Sequence, residues 1–233
     1  MKAMILAAGR GERMRPLTDN VPKPLLTVND VPLIDYHLRK LQRIGVHQVV
    51  INLAWLGEKI VSYLQDGSRY GLSISYSWEN DGALETAGGI IKALPQLTDD
   101  DEPFLVVNGD IFLDYDFSGL PQLSASQLAH LWLVDNPSHN LAGDFTLQGN
   151  VLTTINESTP QPSYTFSGLG LYRPSFFQDF LSHRVMPLAP LIKAAIKKRA
   201  VSGQKLVGLW TDVGTPQRLE QLDLQLKQQH KGK

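Results

Sequence analysis

The 233-residue chain contains no cysteine. Disulfides, thiol nucleophiles and cysteine-ligated zinc are therefore excluded. No apolar run approaches membrane-spanning length, and the apolar start stops at Gly9-Arg10 with no signal-peptide cleavage site beyond it. An excess of one charge is missing too: 22 Lys and Arg face 23 Asp and Glu, scattered along the chain. That balance argues against nucleic acid or a membrane as partner, while leaving room for a small anion held by a few local cations. The six histidines show no H-E-x-x-H or paired metal spacing, and Ser167 lacks a G-x-S-x-G frame. Internal repeats and long flexible linkers are absent, and with them any left-handed β-helix extension. What remains is 42% hydrophobic and 19% charged, the make-up of a globular protein with ample core. A cytoplasmic enzyme or binding protein is the expectation, with the oligomeric state, monomer or dimer, left open.

The pattern of elements gives a fold class. The run from Ala3 to Ala7 reads as a buried parallel strand, followed by a helix over residues 33–44 closed by Gly45. A strand over 49–53, a helix over 56–64, a strand over 72–76, a helix over 86–94 stopping before Pro95, and a strand over 104–107 continue the alternation. That rhythm implies a mostly parallel sheet with helices on both faces, a Rossmann-like three-layer α/β/α arrangement. The second half reads differently. Strands over 130–134, 143–147, 151–155 and 164–172 are joined by short turns, as in an antiparallel sheet. Helices over 175–181 and 188–198, a strand near 206–209 and a final helix from Pro216 to about Lys227 follow. One domain over 1–233 is expected, with a nucleotide-type half over about 1–110, a second half over about 111–227 and a frayed tail over 228–233.

The loop after the first strand carries the chemistry. Gly9 and Gly11 allow the backbone amides to converge on an anion, and Arg10, Arg13, Arg15 and Lys23 add permanent charge. Guanidinium groups suit phosphate in particular. A dinucleotide fingerprint fails, because Met14 stands at its third glycine and Asn52, not an acid, ends the second strand. A P-loop fails for want of Gly-Lys-Ser/Thr. A solvated surface loop would not need such a density of cations.

LAAGRGERMRP followed by PKPL resembles the signature of the sugar-1-phosphate nucleotidyltransferases. LETAGG over 84–89, NGD over 108–110, FSGLG over 166–170 and WTDVGT over 210–215 follow in the family's order, so the resemblance spans the chain. It implies that the oxygen of a sugar 1-phosphate attacks the α-phosphorus of a nucleoside triphosphate, giving a nucleotide sugar and pyrophosphate. Arg13 and Lys23 are then the catalytic cations, Arg13 on the triphosphate and Lys23 between the two anions. The nucleotide contacts are implied at Ala7, Ala8, Gly9, Gly11, Arg15, Glu79, Thr86, Gly88 and Asn108. Gly143, Glu157 and Gly168 fall on the sugar side, and Asp110 and Asp212 on Mg²⁺. The chain departs from the family at Glu85, where relatives carry glycine, and at Ser158, where they carry lysine. More local patterns, AWLG over 54–57, DGSRYGLSISYS over 66–77 and DNPSHN over 135–140, resemble members that use UTP and a carboxylate-bearing amino-sugar 1-phosphate. A cation in the second half, Arg173, Arg184 or another, should read that carboxylate.

Rival readings are a different pair of substrates, such as mannose 1-phosphate with GTP or glucose 1-phosphate with a uridine or thymidine nucleotide. A metal-dependent glycosyltransferase would use a D-x-D motif, and Asp114-Tyr115-Asp116 fits, though it lies beyond NGD in an expected loop. A silent nucleotide-sugar sensor is the remaining alternative. The acidic run over 99–102, His139, Trp55 and Trp78 read as surface or packing residues.

Overall fold

A computed structural model of the chain describes residues 1–80, 82–98, 100–115, 119–155, 161–180 and 185–231. The strands and helices in order are β1 (Lys2–Leu6), β2 (Thr27–Val28), β3 (Val31–Pro32), α1 (Leu33–Arg43), β4 (Gln48–Leu53), α2 (Gly57–Leu64), β5 (Ser73–Trp78), α3 (Glu85–Leu97) and β6 (Phe104–Asn108). They continue with β7 (Ile111–Asp114), β8 (Ala129–Val134), β9 (Phe145–Gln148), β10 (Val151–Thr153), β11 (Ser163–Tyr172), α4 (Leu188–Lys197), β12 (Val201–Lys205), β13 (Leu209–Asp212) and α5 (Pro216–Lys231).

The central sheet is mixed, in the order β5-β4-β1-β6-β11-β8-β12-β10-β9. Its first four strands are parallel. At β6 the chain turns antiparallel against β11, and β11 runs antiparallel to β8 and β9. The two expected halves are thus one continuous sheet joined at the β6–β11 pair. Strand alternation splits the core into two layers. Ala3 and Ile5 of β1 face Ile34, Leu38 and Leu41 of α1 and Ile60 of α2, while Met4 faces Ile90 of α3 and Ile192 of α4. Each of these side chains is almost fully buried, and the Ile, Leu and Met among them contribute roughly 1.5–3 kcal/mol apiece before conformational entropy is set against it. A third cluster, Met14, Leu26, Val28, Leu33, Phe112, Val213 and Leu222, packs α5 and the β7–β13 ribbon under the charged loop. No described helix is long and apolar enough to cross a membrane.

The structure corrects the expected elements in four places. α3 continues through Pro95 to Leu97, because a proline in the last turn removes only the bond to the Ile91 carbonyl while Leu97 remains buried. The segment after Arg173 is a short 3₁₀ turn, Pro174–Phe177, among the described residues, held by Asp101 accepting from the Ser175 amide and hydroxyl. The strand expected near 206–209 falls largely on the connection between β12, which ends at Lys205, and β13, which starts at Leu209, with Gly208 at φ +133° in that connection. α5 runs to Lys231, since 216–231 contains no glycine and its only proline opens the helix.

Candidate active site

The carboxyl ends of β1, β4 and β6 open onto one cavity of about 410 Å³, where an α/β sheet is expected to bind its ligand. Its wall includes Ala7, Ala8, Gly9, Gly11, Arg13, Lys23, Glu79, Thr86, Asn108 and Asp110. Ten of the residues singled out in the sequence are therefore brought together around one space.

The charged loop is pinned from several sides. Gly11 has φ +68°, a conformation natural to glycine, and its carbonyl accepts from the Thr18 hydroxyl at 2.9 Å and the Met14 amide at 2.8 Å. The Trp55 indole donates to the Thr18 carbonyl at 2.9 Å, so this tryptophan anchors the loop. The arginines then separate by role. Arg10 pairs with Glu12 and lies 3.9 Å over the Trp55 ring. Arg15 pairs with Asp19 at 2.8 Å and does not line the cavity. Arg13 lines the cavity and has no partner among the described residues. Lys23 is 6% exposed, with its Nζ 2.7 Å from Asp110 Oδ2. A cation buried this far needs a partner to offset its desolvation, and Asp110 supplies one.

Asn52 was weighed in the sequence only as the missing ribose acid. In the structure it is buried, its Oδ1 accepts from the Ala7 amide at 2.8 Å, and its Nδ2 donates to Glu79 Oε1 at 2.7 Å. Glu79 Oε2 in turn accepts from the Leu84 amide at 2.7 Å. The sequence signal was a polar residue inside the otherwise apolar strand VVINL. Gly88 is buried away from the cavity, its amide donating to the Met186 carbonyl; Gly89 makes the close approach instead, since a Cβ there would sit 2.7 Å from Glu79 Oε1. Gly109 is needed for the same reason, with the Leu6 carbonyl 2.7 Å from its would-be Cβ.

On the metal side, β13 pairs antiparallel with β7 in the register Asp212 to Ile111, and the Val213 amide donates to the Asp110 carbonyl at 3.0 Å. The two aspartates thereby come to neighbouring backbone positions. Asp110 lines the cavity; Asp212 does not, and its Oδ2 accepts from Arg218 at 2.9 Å with His139 Nε2 at 3.4 Å. His139, read from the sequence as a surface residue, belongs to this cluster. No group of three or more His, Asp or Glu among the described residues could hold a metal by itself. Two hard carboxylates fit Mg²⁺, which keeps waters and takes phosphate oxygens, rather than an ion needing a full protein cage. Asp114 ends β7, is largely exposed and pairs with Lys40 at 3.4 Å; Asp116 lies outside the described residues, so the D-x-D reading gains nothing.

A second cavity of about 610 Å³ shares Thr86 and Asn108 with the first. Gly143 lines it with φ +68°, and a Cβ there would strike Asn136 and Ser163. Gly168, φ +83°, sits in the bulge of β11 and makes room for Asn108, whose Nδ2 would lie 2.8 Å from a Cβ. Glu157 and Arg184 lie outside the described residues. Arg173 is spent on the backbone carbonyls of Asp101, Leu123 and Gln127, away from both cavities.

The family profile described as Nucleotidyl transferase matches residues 2–229. The chain belongs to that family. N-acetylmuramate alpha-1-phosphate uridylyltransferase of Neisseria meningitidis serogroup B is 52% identical over 95% of this chain and 96% of its own. UTP--glucose-1-phosphate uridylyltransferase of Synechocystis is 40% identical over 51% of this chain and 32% of its own. Among solved structures, a UDP-glucose pyrophosphorylase from Acinetobacter superposes with a TM-score of 0.77 at 18% identity, covering 98% of this nucleotidyl transferase and 94% of that chain. At that identity the likeness speaks for the fold, and the fold agrees with the nucleotidyl transferase membership.

Proposed function

We propose that this nucleotidyl transferase moves a uridylyl group from UTP to N-acetyl-α-muramate 1-phosphate, forming the UDP-sugar and pyrophosphate. The observation that carries the reaction type is the placing, on one cavity wall, of Arg13, without a partner among the described residues, and a buried Lys23. The substrate pair rests on the likeness to the Neisseria enzyme, which covers nearly all of both chains.

A phosphate oxygen of the sugar 1-phosphate forms a bond to the α-phosphorus as the bond to the pyrophosphate oxygen breaks. Such a transfer needs little covalent help; it needs alignment and relief of charge. Lys23, held in place by burial and by Asp110, sits where it can lie between the two anions. Arg13, which has no partner among the described residues, can close on the departing pyrophosphate. Asn52 and Glu79 hold the ends of β1 and the segment before α3 at a fixed separation, which sets the width of the nucleotide cavity. Asp110 and Asp212 would hold Mg²⁺, whose chemistry is to neutralise phosphate charge. We place this activity in the cytoplasm, returning a cell-wall sugar to use in peptidoglycan recycling.

The test is pyrophosphate release with Mg²⁺ across nucleoside triphosphates and sugar 1-phosphates. UTP with N-acetylmuramate 1-phosphate is expected to be the strongly preferred pair. Preference for another pair would keep the family and overturn the substrate. Binding of nucleotide without release from any pair would favour a sensor.

A further inference from the structure

The second cavity is lined largely by apolar side chains, Phe145, Ile155, Phe166, Leu188 and Ile192. Its polar wall carries one acid and one cation among the described residues, Asp144 and Lys193. The acid is already engaged: Asp144 Oδ2 accepts from the Phe166 amide at 2.8 Å, and Oδ1 from Asn140 Nδ2 at 3.2 Å. Lys193, on α4, is exposed toward solvent and makes no ion pair or hydrogen bond with another described residue. The cavity therefore presents a single unspent positive charge against an apolar floor. Being exposed, that ammonium can meet a carboxylate at the cavity mouth with little loss of its own hydration.

We propose that Lys193 is the specificity-determining residue that reads a carboxylate on the sugar substrate. The inference rests on the substrate reading above and deepens it. Among the described residues, three other cations of the second half are engaged away from this cavity. Arg173 serves three backbone carbonyls, Lys205 pairs with Asp135 at 2.7 Å, and Arg218 is held by Asp212. Because this cavity shares Thr86 and Asn108 with the nucleotide cavity, a sugar ring bridging the two can present its 1-phosphate toward Lys23 and its carboxylate toward Lys193. An apolar wall beside a lone ammonium suits a short carboxylic ether better than a bare hydroxyl. Lys193 acts here through ground-state binding, so its loss should fall on KM more than on kcat.

The experiment compares N-acetylmuramate 1-phosphate with N-acetylglucosamine 1-phosphate, which is the same sugar without the carboxylic ether, using UTP and Mg²⁺. Lys193→Ala is expected to raise KM for the carboxylated sugar about tenfold, the scale of a charge-assisted hydrogen bond at an exposed group. The preference between the two sugars should narrow by the same factor, and Lys193→Arg should restore most of it. UTP affinity, measured in parallel, shows that the variant is folded. A preference left within about twofold of wild type by Lys193→Ala overturns the inference, all the more if Arg184→Ala abolishes it. Wild-type protein that turns over another sugar but never the carboxylated one overturns the substrate reading beneath it.

Discussion

Arg10, Arg13 and Arg15 leave one short loop, yet their surroundings give them different work. Arg10 is spent on Glu12 and the Trp55 ring, and Arg15 on Asp19, an exposed i,i+4 pair of little energetic weight. Arg13 alone of the three is left to meet a ligand in the cavity. Arg13→Ala should therefore lower kcat for pyrophosphate release by about a hundredfold or more, the scale found when one donor to a developing anion is removed. Arg15→Ala should change turnover by no more than about threefold. Steady-state kinetics of the two variants side by side checks this, and equal losses would mean that Arg15 swings into the site. The sequence could show that the loop was built for phosphate, since composition and glycine spacing suffice for that. It could not show which guanidinium was free, because that depends on Trp55 arriving from beyond β4. Asn52 stands out in the sequence as a polar residue in an apolar strand, but its role does not, because its partners Ala7 and Glu79 are distant in sequence and meet only at the carboxyl ends of the strands.

At the scale of elements, the start of α3 is the most constrained part of the site. Glu85 has φ +61° as the first residue of the helix, a left-handed conformation that costs a side-chain-bearing residue about 1–2 kcal/mol. This accounts physically for the glycine that the family pattern has at this position. Glu85→Gly should release strain, offset in part by the added freedom of glycine in the unfolded chain. The expected net is a rise in melting temperature of a few degrees at most, with any loss of activity reporting use of the Glu85 carboxylate in the cavity. Four residues on, Gly89→Ala should do the reverse. The new methyl would meet Glu79 Oε1 and Asn52 Nδ2 at under 3 Å, breaking a buried hydrogen bond at a cost of about 1–3 kcal/mol. Calorimetry of both variants tests the pair, and a stable Gly89→Ala protein would show that the Asn52–Glu79 link yields. The glycines of LETAGG were visible in the sequence, but Gly88 and Gly89 cannot be told apart there. Only the direction of the helix face decides that Gly88 turns its amide to Met186 while Gly89 abuts Glu79. The hairpin strands of the second half are legible from alternation, whereas β12, VSGQK, has too little apolar patterning to announce a strand.

Across the whole molecule, the β6–β11 pair makes the parallel and antiparallel halves one sheet, so unfolding should be a single transition. Two buried histidines tie that sheet to acid sensitivity. His37 on α1 donates from Nε2 to the Ile111 carbonyl at 2.9 Å, joining a helix of the first half to β7. His130 on β8 shares Nδ1 with the Ser202 hydroxyl at 2.9 Å, and its Nε2 has no partner among the described residues. Burial lowers each pKa from 6.5 to about 4. Well above pH 6.5, from about pH 7.5, both imidazoles are essentially neutral whether the chain is folded or not, and they contribute little pH dependence. As pH falls from 6.5 to 4 the unfolded chain takes up protons that the folded one refuses, so stability drops. The full loss is on the order of 3 kcal/mol per histidine, from roughly 1.4 kcal/mol for each pKa unit. Melting temperature should accordingly fall along one cooperative transition between pH 6.5 and 4.5. His130→Asn preserves a partner for Ser202 but cannot titrate, so its melting temperature should fall with a visibly shallower slope over the same range. Parallel slopes for variant and wild type would mean that His130 charges within the fold, and that the acid response comes from His37 or from carboxylates.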